Sequence, residues 1–204
     1  MLYKPSQISE IIGPAKQYAA LIEHYVAQCK LRKETIRLLI LGPPGCGKST
    51  LSHFAVKCIG TGKWSTRIMN GTELKIEEVE EIAHWLRIGS LYGDYNVLQV
   101  EEVDAVPIVA QTRFLTLMDQ IPWHSSVICT SNCSVTQLEA RFGGRFKNFE
   151  IKPPSDVDIE ALLIRLGTPA KAARHHAVMA CGDVRRAIEN ADTSLLMASM
   201  PKAA

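Results

Sequence analysis

The sequence contains no apolar run of membrane-spanning length. Its longest, such as Leu38-Leu39-Ile40-Leu41, suits a buried strand. The start, Met1-Leu2-Tyr3-Lys4-Pro5-Ser6, lacks the charged opening, apolar stretch and small-residue cleavage site of a signal peptide. A cytoplasmic protein is expected, in the nucleoid or nucleus if it works on DNA, and neither secreted nor bound to a membrane. Six cysteines are scattered: Cys29, Cys46, Cys58, Cys129, Cys133 and Cys181. None forms a Cys-x-x-Cys pair, which argues against a zinc module or a thioredoxin-type centre. Cys129 and Cys133 would make half a metal site with no second pair to face them, so reduced, buried thiols are expected. Repeats and low-complexity segments are absent. The net charge is only +2, so charge alone calls for no dedicated nucleic-acid module; any DNA contact must come from a local patch or from several subunits together.

What is present fits an ordinary globular protein. The 204 residues are enough for one domain, or one domain with a small appendage, and for a core that needs no covalent staple. Apolar periodicity predicts a helix over Pro14–Cys29, with Ala15, Tyr18, Ala19, Ile22 and Val26 on one face. Ile36–Leu41 reads as a doubly buried parallel strand. Helices over Lys48–Ile59, Ile76–Ile88 and from Pro107 to about Gln120 alternate with strands at Arg67–Met69, Asn96–Val100 and Ser126–Thr130. Ser134-Val-Thr-Gln137 reads as a capping box opening a short helix, and Phe149–Ile151 as a fifth strand. This alternation predicts an α/β fold, a parallel sheet with helices on both faces. Beyond Lys152-Pro153-Pro154-Ser155 only helices are expected: Asp156–Leu166, Ala170–Ala180 and Asp183 to about Ser199. The predicted organisation is a nucleotide-binding core over 1–151 and a small all-helical domain over 152–204.

The chemistry starts at Gly42-Pro43-Pro44-Gly45-Cys46-Gly47-Lys48-Ser49-Thr50, a full G-x-x-x-x-G-K-[ST] between a predicted strand and a predicted helix. Its backbone N–H groups can curl round phosphate, and the helix start adds partial positive charge. Lys48 can reach the β- and γ-phosphates, and the Ser49 hydroxyl can ligate Mg²⁺. MgATP is the expected ligand. Cys46 occupies a variable loop position, and its thiol is expected to be open to alkylation. A second apolar strand runs through Val97-Leu98-Gln99-Val100 into Glu101-Glu102-Val103-Asp104. Adjacent acids at that edge can divide labour, with Glu101 on the metal and Glu102 as the base for an attacking water. Thr130-Ser131-Asn132 ends the next strand, where a polar side chain can hold that water. Arg141 and Arg145 follow the short helix, and Arg185 and Arg186 open the last one. Arginine suits γ-phosphate charge through its planar fork. Trp64, Trp85 and Trp123 read as core or partner contacts, and His175-His176 as a surface pair.

Taken in order, these motifs resemble an AAA+ ATPase, and within AAA+ the clamp-loader subunits of replication. The likeness runs over nearly all of residues 1–199. Tyr3-Lys4-Pro5 with Glu10-Ile11-Ile12-Gly13 is similar to the segment that family folds round adenine, which implies Tyr3, Pro5, Ile11 and Ile12 as base contacts. Gly42–Thr50 resembles Walker A and Glu101–Asp104 the Walker B region. Ala110-Gln111 and Met118-Asp119 echo the helix that couples DNA contact to the nucleotide. Asn132 falls at sensor 1 and Gly182-Asp183-Val184-Arg185 at sensor 2, implying Arg185 as the lid arginine. Arg145 falls at the finger inserted into a neighbour's ATP, with Arg141 as the nearby competitor. The resemblance implies ATP hydrolysis in a ring of like subunits, weak assembly-dependent DNA binding, and a sliding clamp or replicative helicase as the partner. Helicase loaders and branch-migration motors share the same ATP site. A P-loop kinase is disfavoured by the paired acids, Asn132 and the Gly182–Arg185 run; a poorly hydrolysing scaffold is kept open by Glu101, which stands where the family usually has aspartate. Leu115 and Thr116 stand where the coupling helix usually has arginines. Clamp loaders continue beyond the lid into a helical collar that this sequence does not supply, so assembly is expected to rest on the AAA+ faces or on a partner.

Overall fold

A computed structural model describes residue 5 and residues 7–60, 62–90 and 95–199. The strand that leads into the glycine loop, β1 (Ile36–Leu41), is hydrogen-bonded on both edges and lies second from one end of the sheet. The full sheet has five strands, all parallel: β2 (Thr66–Asn70), β3 (Asn96–Glu101), β4 (Ser125–Ser131), β1 and β5 (Lys147–Glu150), in that spatial order. Alternate β1 side chains enter different cores, as strand geometry demands. Ile36, Leu38 and Ile40 pack under α1 (Pro14–Arg32) and α2 (Lys48–Ile59). Leu39 and Leu41 pack under α3 (Ile76–Arg87), α4 (Ile108–Met118) and the one-turn α5 (Phe142–Arg145). Helices therefore cover both faces of a parallel sheet, as the alternation predicts.

Three helices follow: α6 (Asp156–Arg165), α7 (Ala170–Ala180) and α8 (Val184–Ser199). Ile159, Leu163, Ala173, Ala177, Ala180, Ala187 and Ala191 form their own buried cluster. Its small alanines let the helices approach closely. Ser155 caps α6 in a capping box with Asp158. The N-terminal segment touches both clusters: Ile11 is buried in the α1–α2 core, while Ile12 packs against the three-helix cluster.

Several boundaries move for identifiable reasons. α1 runs three residues past Cys29, because Lys33 takes the left-handed C-cap (φ 54°) and donates its N–H back into the last turn. Pro107 lies just outside α4 as its N-cap residue, rather than in the helix. β5 begins two residues before Phe149, in register with Leu38, and Ile151 follows it while still donating to the Leu41 carbonyl at 2.8 Å. Ser134 and Gln137 do form a capping box, but the turn they open is a single 3₁₀ turn, Val135–Gln137. Trp64 is no core residue: it is 80% exposed. Trp123 is half exposed, edge-on to buried Tyr95. No helix among the described residues is long and apolar enough to cross a membrane.

Phe142 anchors α5. Its fully buried ring stacks on Phe146 at 5.5 Å and lies 6.5 Å from Phe114 of α4. Phe142→Ala should cost about 3–5 kcal/mol through lost burial and a cavity that so short a helix cannot fill. Urea unfolding checks this; a change below about 1 kcal/mol would show that α5 is held by its backbone instead.

Candidate nucleotide site

Every strand of a parallel sheet points its carboxyl end at the same edge, the edge where open α/β sheets bind ligands. Here that edge gathers the ends of β1, β2, β3 and β4 and receives the start of α8. Leu41 runs directly into Gly42, whose N–H donates to Ser131 O at 3.3 Å. Pro43 and Pro44 are exposed, Gly42, Gly45 and Gly47 have positive φ, and α2 starts at Lys48. Ser49 and Thr50 are half-buried in its first turn. Gly45 is needed twice over: its φ is +72°, and a Cβ there would collide with the Asp183 side chain.

Lys48 is 8% exposed, and its ammonium donates to the carbonyls of Gly42 and Pro43, both at 2.8 Å. Burial holds it below the usual lysine range. Cys46, Asp104 and Glu102 oppose that shift and Arg185 adds to it, which puts all four groups within electrostatic reach of the amine. Thus the loop, the acids at the end of β3 and the arginine of α8 lie within one electrostatic neighbourhood.

The acids are held differently. Glu101 ends β3 and accepts from buried Gln99 Nε2 at 3.0 Å. Glu102 sits in the left-handed region (φ 55°, ψ 54°), a conformation that costs free energy unless its surroundings impose it. Its N–H donates to Thr130 Oγ1 at 3.2 Å, and Gly71 leaves room for its carbonyl, which a Cβ at 71 would strike. The Glu102 carboxylate accepts from Asn70 Nδ2 at 3.4 Å. Asp104 turns towards the end of β4, where its carboxylate accepts from the Asn132 N–H at 3.0 Å. Asn132 itself is exposed. The hydroxyl of Ser49 and the carboxylates of Glu101, Glu102 and Asp104 are hard oxygen donors of the kind Mg²⁺ prefers, and the open glycine loop leaves space for phosphate, so the residues fit MgATP.

The helical segment closes on the loop through backbone. Val184 N donates to Gly45 O at 3.1 Å, and Asp183 caps α8 by accepting from Arg186 N at 3.1 Å. Arg185, next along, is exposed. Pro5 is half-buried, as is Ile12; Ile11 is buried, and Tyr3 lies outside the described residues.

Arg145 does not join this group. It sits two residues before β5, at the opposite edge of the sheet. Its guanidinium forks onto Asp119, Nε to Oδ1 at 2.9 Å and Nη2 to Oδ2 at 2.7 Å. The pair holds the Asp119 carboxyl below and the Arg145 guanidinium above their ordinary ranges. Six residues of β1, about 20 Å at the usual rise, separate that edge from the P-loop. Arg141 folds onto Glu139 at 2.8 Å. Asn70 and Asp119 were not singled out as site residues. Asn70-Gly71 at a strand end reads only as a turn, and Asp119, which the resemblance places on the coupling helix, shows no link to Arg145 until the fold brings the two together.

A strand–glycine loop–helix carrying a buried lysine, with acids at the end of a neighbouring strand, defines a P-loop nucleotide-binding protein. More narrowly, residues 38–153 match the model of the ATPase family associated with various cellular activities (AAA), and the chain belongs to that family. Its fold is similar to solved forms of Thermotoga maritima RuvB: three of them superpose with TM-scores of 0.74–0.75 at 19–20% identity, covering 93% of this chain. The chain spans 64–65% of the length of those proteins.

The expectation of an alkylation-prone Cys46 is overturned. Its side chain is 2% exposed and packs against Gly42, and burial pushes its thiol up. Cys181, at the exposed C-cap of α7, is the accessible thiol. Iodoacetamide at neutral pH should therefore label Cys181 first and spare Cys46 until the protein unfolds. Peptide mass spectrometry of a time course decides, and early labelling of Cys46 would mean that the loop opens readily.

Proposed function

We propose that this chain is a Mg²⁺-dependent ATPase subunit that works in a ring on DNA, in the manner of a clamp-loader subunit. The observation that supports this best is the split between the two sheet edges. One edge carries a P-loop lysine, two strand-end acids and a lid arginine; the other carries Arg145, far from its own nucleotide. A site divided in this way is completed only by a second subunit.

The P-loop N–H groups and Lys48 bind the triphosphate, Lys48 exchanging the Gly42 and Pro43 carbonyls for phosphate oxygens. Mg²⁺, when bound, neutralises phosphate charge; Ser49 and Glu101 would hold it. Glu102 takes a proton from the attacking water, whose oxygen bonds to the γ-phosphorus as the β–γ bridging bond breaks, giving ADP and phosphate. Asn70 competes for the same carboxylate, so Glu102 is free to act once that hydrogen bond is released. Asn132 orients the water, and Arg185 carries the state of the phosphates to the helical segment. Pro5, Ile11 and Ile12 border the base, with Tyr3 expected beside them. Residues 152–204 then serve as a lid on the core formed by 1–151.

A second reading, the branch-migration motor, is favoured over the helicase loader by the fold likeness to RuvB. The two leading readings separate by DNA substrate. Turnover stimulated by primed template together with a sliding clamp supports the first, and turnover stimulated by a four-way junction supports the second. DNA binding should be weak, salt-sensitive and strengthened by ATP and by protein concentration, since the net charge of one subunit is small.

Lys48→Ala should abolish tight MgATP binding by calorimetry, and equal affinity would remove the site assignment. Glu102→Gln should bind ATP normally and lose at least about 100-fold in turnover, the usual scale for a general base. Near-normal hydrolysis would move the base to Glu101 or Asp104.

A further inference from the structure

β3 sends Leu98 and Val100 into one core and Val97 into the other, and between them stands Gln99, equally closed to solvent at 0% exposure. A carboxamide at that depth loses water at both of its polar ends. One end is matched: Nε2 donates to Glu101 Oε1 at 3.0 Å. The other is not: Oε1 is buried with no hydrogen-bond partner among the described residues. Residues two apart on a strand share a face. The amide and the half-buried Glu101 therefore lie along one line, the first inside the core and the second at the ligand-binding edge.

A buried amide with only one end satisfied is disfavoured against an apolar side chain of the same shape, which leaves nothing unpaired. Packing therefore does not account for Gln99; its donor does. The group that donor serves has one more methylene and one more rotatable bond than the aspartate usual at this place in the family. That extra torsion lets a carboxylate swing among several staggered positions at an open sheet edge. The amide holds it to one.

We infer that Gln99 is a positioning residue for the metal: its Nε2 pins Glu101 Oε1 and so aims the carboxylate at the Mg²⁺ of a bound nucleotide. The inference rests on the proposed metal role of Glu101. Mg²⁺ accepts little departure from octahedral geometry, and groups that hydrogen-bond a ligating carboxylate set its direction. Gln99 and Glu101 thus form a matched pair, in which the longer acid needs the tether and the tether serves only the longer acid. Asn70 engages the other acid, Glu102. The two carboxylates are therefore held by separate amides, one sealed in the core and one half-buried at the end of β2.

The test uses the full chain with a non-hydrolysable ATP analogue bound. Mn²⁺, a spectroscopic substitute for Mg²⁺, is titrated in, and free Mn²⁺ is read by its electron paramagnetic resonance signal. Gln99→Met keeps the length of the side chain and removes both polar ends. It should weaken Mn²⁺ binding about tenfold, the low end of what such outer partners contribute. Its stability in urea should match or exceed the parent's, because no unpaired atom remains in the core. In hydrolysis the Mg²⁺ concentration at half-maximal rate should rise, with most of the rate returning at saturating Mg²⁺. In a Glu101→Asp background the same change should cost no metal affinity, since the shorter acid draws away from the amide. Unchanged Mn²⁺ affinity in Gln99→Met overturns the inference. So does an equal loss in both backgrounds, which would show that the amide acts through the strand and not through Glu101. If Gln99→Met unfolds or is clearly destabilised, Gln99→Leu is measured in the same way; the same result there assigns the amide to the fold and overturns the inference too. Glu101→Ala is the control. If it binds Mn²⁺ as the parent does, the metal role of Glu101 falls and the inference with it; if it binds Mn²⁺ poorly while Gln99→Met binds it normally, the inference fails alone.

Discussion

The buried strand β1 is the constraint on which the rest depends. β1 is hydrogen-bonded along both edges and covered on both faces, so neither its register nor its direction can shift without exposing a core. That rigidity fixes where the glycine loop begins and where Arg37 stands. The two ends of that strand thus carry different groups, the phosphate loop at one and Arg37 at the other. A parallel sheet suits this, because all its strand ends of one kind collect at one edge and all those of the other kind at the opposite edge.

Electrostatics makes the two edges unequal. At the P-loop the buried Lys48 ammonium feels two carboxylates, Asp104 and Glu102, and its hydrogen bonds go to neutral carbonyls that a phosphate can displace. At the far edge the cations outnumber the acids that touch them. One edge therefore sets a buried lysine among neutral carbonyls and nearby acids, and the other gathers three cations with Asp119 and Glu34 beside them.

Much of this was legible from the residues. The alternation of apolar runs with helical periods shows the sheet and its two helical layers, and the G-x-x-x-x-G-K-[ST] run marks the loop, because these signals are local. The strand order is not local: nothing in the sequence of β4 says that it lies between β3 and β1. Contacts distant in sequence stayed hidden for the same reason. Asn70 and Glu102 are 32 residues apart and Asp119 and Arg145 are 26 apart, each meeting only across the folded sheet. Cys46 ran against expectation because a helix start favours thiolate, whereas burial beside Gly42 removes the solvent that the charge would need.

The hydrogen bond from Val184 to the Gly45 carbonyl joins the phosphate loop to the first turn of the last helix with no side chain in between. Such a bond belongs to neither partner alone. If closure of the helical segment tightens the loop's hold on nucleotide by some factor, then nucleotide must tighten closure by the same factor, since the two equilibria share one thermodynamic cycle. On that condition the position of α8 would report occupancy, and a molecule bound to the outer surface of that helix would alter how firmly the nucleotide is kept.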